Sequence, residues 1–163
     1  MTSLPPLSRI LSDNAAQLGL SRPAAMCLGA IWRAAQNPSA DDLVTLLGIS
    51  RSNVSTALKE LREIGLVQQA RSPGSRKDFY VADADPWALL RKLMIERQRK
   101  TFEPLAEAFA AHATEDPRLP ALAEISSQLN IWLRQLTALD PDSLAKATAA
   151  DPTKLLKKNK KKD

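Results

Sequence analysis

Between residues 47 and 67 the chain reads LGISRSNVSTALKELREIGLV, and its two glycines leave little freedom to what surrounds them. Glycine accepts the left-handed conformation just past a helix end, so Gly48 closes one helix and Gly65 the next. Ser50 is an N-cap, and a helix of roughly Arg51 to Ile64 is predicted between the stops. Upstream, Ser39 is the cap candidate of a short helix holding Leu43, Leu46 and Leu47, with Asp41 and Asp42 at the positive end of its dipole. Two helices joined by so tight a connection predict a helix-turn-helix.

The second helix has two distinct faces. At about 100° per residue, Val54, Ala57, Leu58 and Leu61 fall on one side, extended by Ile64, and should meet the core. The other side carries Ser52, Thr56 and Lys59, flanked by Asn53, Ser55 and Arg62. Short side chains let a backbone approach closely, and Ser, Thr, Asn, Arg and Lys meet phosphates or base edges. A solvated helix with no partner has a similar outer face, and Glu60 and Glu63 count against DNA on their sides of it.

The following segment shifts the balance. LVQQARS and DFYVAD are strand-like around PGSRK, where Pro73-Gly74 signals a turn, so a hairpin with a basic tip is expected. From Ser50 to Asp78 the positive residues are Arg51, Lys59, Arg62, Arg71, Arg76 and Lys77, against Glu60, Glu63 and Asp78, a net of +3. The whole chain carries +5, but the six lysines and two aspartates of residues 151–163 account for +4 of it. The basic character that could meet nucleic acid is thus local.

The flanks read as helices. Residues 5 to 17 place Leu7, Ile10, Leu11 and Leu18 on one side. Ser21 caps a second helix, with Pro23 in its first turn, that runs to about Ala35 and buries Leu28 and Ile31. Asp85 and Pro86 open a long helical region to about Ala113, interrupted at Pro104. In the next helix Leu122, Ile125, Leu129, Trp132, Leu136 and Leu139 recur three and four apart, a heptad seam that can close an intramolecular hairpin or bury a partner's helix. With 44% hydrophobic and 25% charged residues the chain reads as globular, and 4% aromatics leave the core to Leu, Ala, Ile and Val.

Taken together, LGISRSNVSTALKELREIGLV, PGSRKDFYVA and DPW resemble the winged helix-turn-helix of the GbsR/MarR-type bacterial regulators over about residues 40 to 90. The resemblance implies a mainly α fold with a small β-hairpin wing and a helical C-terminal dimerisation arm. It implies a homodimer that binds a double-stranded DNA operator, and in some members a response to quaternary ammonium compounds such as choline or glycine betaine. The implied recognition positions are Arg51, Ser52, Asn53, Ser55, Thr56 and Lys59; those of the wing are Ser75, Arg76 and Lys77. Residues 1–85 would form the DNA-binding part with its N-terminal helix and 86–150 the arm, with its contacts at Leu122, Ile125, Leu129, Trp132, Leu136 and Leu139; the Lys-rich tail 151–163 is not part of the family pattern and reads by composition as a solvated, disordered end.

Other chemistries find little support. One cysteine, Cys27, and one histidine, His112, exclude a His/Cys zinc site. Cys27 lies among apolar residues at helical spacing, which favours a buried structural thiol over a redox sensor. No phosphate loop, dinucleotide fingerprint or nucleophile elbow occurs, so no enzyme and no cofactor are expected. Trp32 and Trp87 are candidates for a cation–π cage around an effector, although few aromatics exist to complete one. MTSLPPLSRI lacks an apolar signal core and no apolar run spans a bilayer, so a cytoplasmic location without membrane contact is expected. The chief rival is a winged-helix protein–protein interaction module, which would more often expose an apolar patch where this chain has a polar helix face and a basic wing tip.

Overall fold

The computed structural model describes residues 4–71 and 77–150. Serine and aspartate caps set most of its helix starts. Helix α1 (Pro6–Asp13) and the short α2 (Ala15–Leu18) precede α3 (Arg22–Trp32), where the Ser21 side chain accepts from the Ala24 N–H. Ser39 and Asp42 form a capping box on α4 (Ala40–Leu47), and Ser50 accepts from Asn53 N–H at the start of α5 (Arg51–Glu63). Gly48 and Gly65 have φ of 64° and 72°, the left-handed conformation expected of helix stops.

The wing is an antiparallel pair, β1 (Val67–Arg71) and β2 (Asp78–Ala82), in register from Val67 opposite Ala82 to Arg71 opposite Asp78. A single bridge between Ser39 and Phe79, and a Tyr80 N–H donated to Pro38 O at 3.0 Å, attach the segment before α4 to the edge of β2. The turn-proximal half of β2 is therefore fastened to the start of the helix that braces α5. Ser75 and Arg76 of the expected wing tip, and the tail 151–163, lie outside the described residues.

A core of Leu, Ala, Val and Ile joins these elements. Leu28 of α3, Leu43 of α4, Val54 and Leu61 of α5, and Leu66 before β1 are almost wholly buried. Leu46, expected inside, is 44% exposed; on α4 Leu43 and Leu47 are buried, with Ala40 and Val44 half-buried against the core. Helix α1 also departs from its expected orientation. Ile10 is 55% exposed, and it is Ser8 and Ser12 that are buried. The cause is opposite them on α3: a Cβ added to Gly29 would lie 2.7 Å from Ser8 Cα and N. At so close an approach only small residues fit between the backbones; Ile10 turns outward, while Leu7 and Leu11 stay half-buried at the edges of the contact, Leu11 against the core.

Beyond the wing, Asp85 caps α6 (Pro86–Arg97). The expected interruption at Pro104 appears one turn earlier, as a π-helical segment (Gln98–Phe102) that leads into α7 (Glu103–Ala111). Proline has no N–H to offer and crowds the carbonyl four residues back; a widened turn ahead of Pro104 relieves both problems without ending the helix. Helix α8 (Leu119–Ala138) folds back on α7, and α9 (Pro141–Ala149) places a fully buried Leu144 against α6. Asn130 Nδ2 donates to Phe102 O at 2.9 Å, and Arg91 Nε to Thr137 O at 2.7 Å.

From Leu122 to Trp132 the heptad seam stays out of this hairpin, and only Leu136 and Leu139 at its end are half-buried. Helix α8 turns Ala123, Ser126, Asn130, Leu133 and Thr137 inward, also three and four apart, while Leu122, Ile125, Leu129 and Trp132 are exposed. Of the two uses open to the seam, the intramolecular one is therefore taken by the neighbouring, smaller and more polar stripe. No described helix is long and apolar enough to cross a membrane.

Candidate nucleic-acid interface

Helix α5 divides as its residue pattern demands. Val54, Ala57, Leu58 and Leu61 are buried, and Arg51, Ser52, Asn53, Ser55, Thr56 and Lys59 are all exposed. The exposed set runs from the amino end through the first two turns. Helix N–H groups not consumed by the Ser50 cap lie at the same end, where the dipole favours anions. Nothing apolar interrupts this face.

Beside it, a cleft of about 500 Å³ separates α5 from the start of α4 and the turn end of β2. Arg51, Lys59, Arg62 and Lys77 line it, together with Asp41 and Asp78. Lys77 thus faces the exposed basic residues of α5 across the cleft. Two contacts order the acids. Arg51 Nη1 pairs with Asp41 Oδ1 across the turn between α4 and α5. At the turn end of the wing strands Arg71 Nε donates to Asp78 Oδ1 at 3.2 Å. The Asp78 carboxyl is held below its ordinary pKa by a hydrogen bond from the Gln69 side chain and by Arg71. The Ser39 hydroxyl and N–H do the same for Asp42. With four cations against Asp41 and Asp78 along its lining, the cleft is a mixed but net basic surface.

Glu60 has a different place from the one its sequence position suggested. Its carboxylate reaches back to α3, accepting Ser21 N–H at 2.9 Å and the Ser21 hydroxyl at 2.6 Å. The acid sits at the positive end of α3, where the dipole stabilises it, and clamps α5 to that helix. This contact joins residues 39 apart in sequence, so no local pattern announces it. Glu63 lies 3.9 Å from Lys59, a weak surface pair one turn along.

The other singled-out side chains are dispersed. Cys27 is wholly buried, and burial pushes its thiol up to about 12. Trp32 spends its indole N–H on Asp83 O at 2.9 Å, Trp87 starts α6, and Trp132 is exposed on α8. Among the described residues neither Trp32 nor Trp87 lines the cleft beside α5, and no cluster of His, Cys, Asp and Glu is fit to hold a metal.

Residues 18–78, from the end of α2 to the first residue of β2, match the model of the MarR family. No curated protein matches the chain. Among solved structures, one described as a transcriptional regulator shares 16% identity, covers 88% of this chain and 97% of its own, and superposes with a TM-score of 0.59. A likeness of that degree establishes a shared fold. Looser matches are an S. aureus MepR mutant bound to an oligodeoxyribonucleotide (13% identity, 77% and 89% coverage, TM-score 0.43) and a transcriptional regulator from Thermotoga maritima (16% identity, 82% and 90% coverage, TM-score 0.42). The chain shares the fold of the first of these structures, and its own elements make a winged helix, mostly helical with one small antiparallel sheet among the described residues.

Proposed function

We propose that this chain is a bacterial, cytoplasmic transcription regulator of the MarR type that binds double-stranded DNA as a homodimer. The observation that carries the reading is the clean division of α5: one face buried in the core, the other wholly polar and continuous with a basic cleft that reaches the wing. The amino half of α5 enters the major groove, with Arg51, Ser52, Asn53, Ser55, Thr56 and Lys59 toward phosphates and base edges. The wing, with Ser75, Arg76 and Lys77, follows the adjacent backbone. The family match over residues 18–78 supports this reading over that part of the chain.

The arm favours a second copy. Leu122, Ile125, Leu129 and Trp132 form an apolar stripe between 41% and 64% exposed, on the side of α8 that the hairpin leaves open. Packing against another protomer would bury it. Sedimentation at micromolar concentration should report a dimer, and Ile125→Asp a shift towards monomer; a wild-type monomer would remove this part of the proposal. The GbsR resemblance adds a small-molecule effector of the quaternary ammonium class. Tryptophan fluorescence during titration with choline and glycine betaine tests it: a saturable change supports the effector, and a flat response to both removes that class.

DNA binding itself is tested by fluorescence anisotropy with duplexes selected from a random pool. Wild type should bind with an affinity that falls steeply with salt, since each phosphate neutralised adds about 0.9 to the log–log slope. Lys59→Ala should weaken binding and reduce the slope by about 1. Absence of binding at low salt, or an unchanged slope and affinity in Lys59→Ala, would contradict the proposal.

A further inference from the structure

Arg51 occupies an awkward place for a residue that reads bases. It is the first residue of α5, its side chain is 71% exposed, and the dipole at a helix amino end repels a cation. A long, exposed guanidinium there would be free to take any phosphate within reach, which adds affinity and no sequence information. The structure gives it a partner on another element. Asp41, in the first turn of α4, meets Arg51 Nη1 with Oδ1 across the helix-turn-helix connection. Asp41 is not needed to cap α4: Asp42 and Ser39 make the capping box between them. Nor does it serve the core, being exposed.

We propose that Asp41 is a positioning residue for DNA recognition, holding Arg51 for a base edge and away from the phosphate backbone. It rests on the DNA-reading function proposed above. One guanidinium nitrogen meets one carboxylate oxygen, which leaves other N–H donors of the planar fork for the paired acceptors of guanine in the major groove. The negative charge of Asp41 has a second effect. It lies in the cleft with Arg51, Lys59 and Lys77, where it opposes close approach of phosphate at unselected sequences. An exposed ion pair adds little to stability, so the contact's consequence falls on selectivity. Asp41 therefore lowers affinity for arbitrary DNA and raises discrimination.

The test compares two affinities, for a duplex selected by the wild-type chain and for the unselected random-sequence pool, across a salt series. Asp41→Ala should bind the pool a few-fold more tightly at low salt, with a slope steeper by about 1 as Arg51 gains a phosphate. Discrimination between selected duplex and pool should fall about tenfold, within the range of one bidentate base contact. Arg51→Lys keeps the charge and lacks the fork; it should retain pool affinity, lose discrimination to a similar degree, and show no further loss when combined with Asp41→Ala. Thermal melts confirm that each variant is folded, and Arg51→Lys alone carries the test if Asp41→Ala is not. Unchanged discrimination in the folded variants, or an equal loss of affinity for both DNAs, overturns the assignment of Asp41 while leaving the DNA-reading function intact. If the wild-type chain selects no sequence from the pool, that function fails, and this inference with it.

Discussion

Removing the Glu60 carboxylate separates two accounts of α5. If Glu60 were only a solvated acid on a DNA-facing helix, Glu60→Ala would leave stability unchanged and tighten DNA binding by removing repulsion. In the structure it accepts two hydrogen bonds from Ser21, at 2.9 and 2.6 Å. Hydrogen bonds to a charged group contribute about 1.5–3 kcal/mol each when shielded. Solvent access to this site lowers that, to about 2 kcal/mol for the two together. In a chain of 163 residues a loss of that size lowers the melting temperature by roughly 4–8 °C. Glu60→Gln keeps an acceptor but not the charge, and neutral bonds are roughly half as strong, so about half the loss is expected. Since the clamp fixes α5 on α3, both substitutions should also weaken DNA binding, in the same order. Differential scanning calorimetry and anisotropy on the same preparations decide the matter. An unchanged melting temperature in Glu60→Ala, with tighter DNA binding, would refute the clamp.

Three further outcomes follow from the packing. Gly29→Ala should destabilise by about 1 kcal/mol although alanine favours helices by a similar amount, because its Cβ would meet Ser8 backbone at 2.7 Å and overpacking costs about 1–3 kcal/mol; a stabilised variant in urea titration would mean that α1 is not docked as described. Cys27, with its thiol raised to about 12 by burial, should be inert to a thiol reagent at neutral pH and react fully in denaturant. For Glu96, burial alone would raise the carboxyl, but hydrogen bonds and charge from Arg99 and Lys100 outweigh it and leave it below its ordinary 4.5. A depressed folded pKa gives stability that is present above about 4.5 and lost as pH falls through the folded value. Urea midpoints should therefore fall more steeply below that pH in wild type than in Glu96→Gln, and parallel curves would show that Glu96 contributes nothing there.

The elements governed by short-range chemistry were legible in the sequence. Ser21, Ser39, Ser50 and Asp85 cap helices because each has its acceptor within three residues of the N–H it meets, and Gly48 and Gly65 stop helices through backbone freedom alone. The buried stripe of α5 follows for the same reason: one helix, one apolar face. Where two amphipathic choices competed, apolarity misled. Helix α1 turns Ser8 and Ser12 inward, since proximity to Gly29 outweighs the burial of Ile10. Helix α8 turns Asn130 and Thr137 inward and leaves Leu129 and Trp132 outside, which makes sense if a second protomer is the intended neighbour. Glu60 was legible as a charge but not as a clamp, because its partner lies in a distant turn. The same holds for the pairing of Asp41 with Arg51, whose helices are neighbours in sequence but whose contact depends on the angle of the turn.

The location of the DNA surface is the central claim, and an NMR titration of the 15N-labelled chain with a selected duplex tests it most directly. The amides of Arg51 to Lys59 and of Lys77 and Asp78 should show the largest perturbations at low ratios of DNA, with α8 little affected. Perturbations centred on Leu122 to Trp132, with α5 unchanged, would contradict the account and make the arm, not the winged helix, the surface that meets DNA.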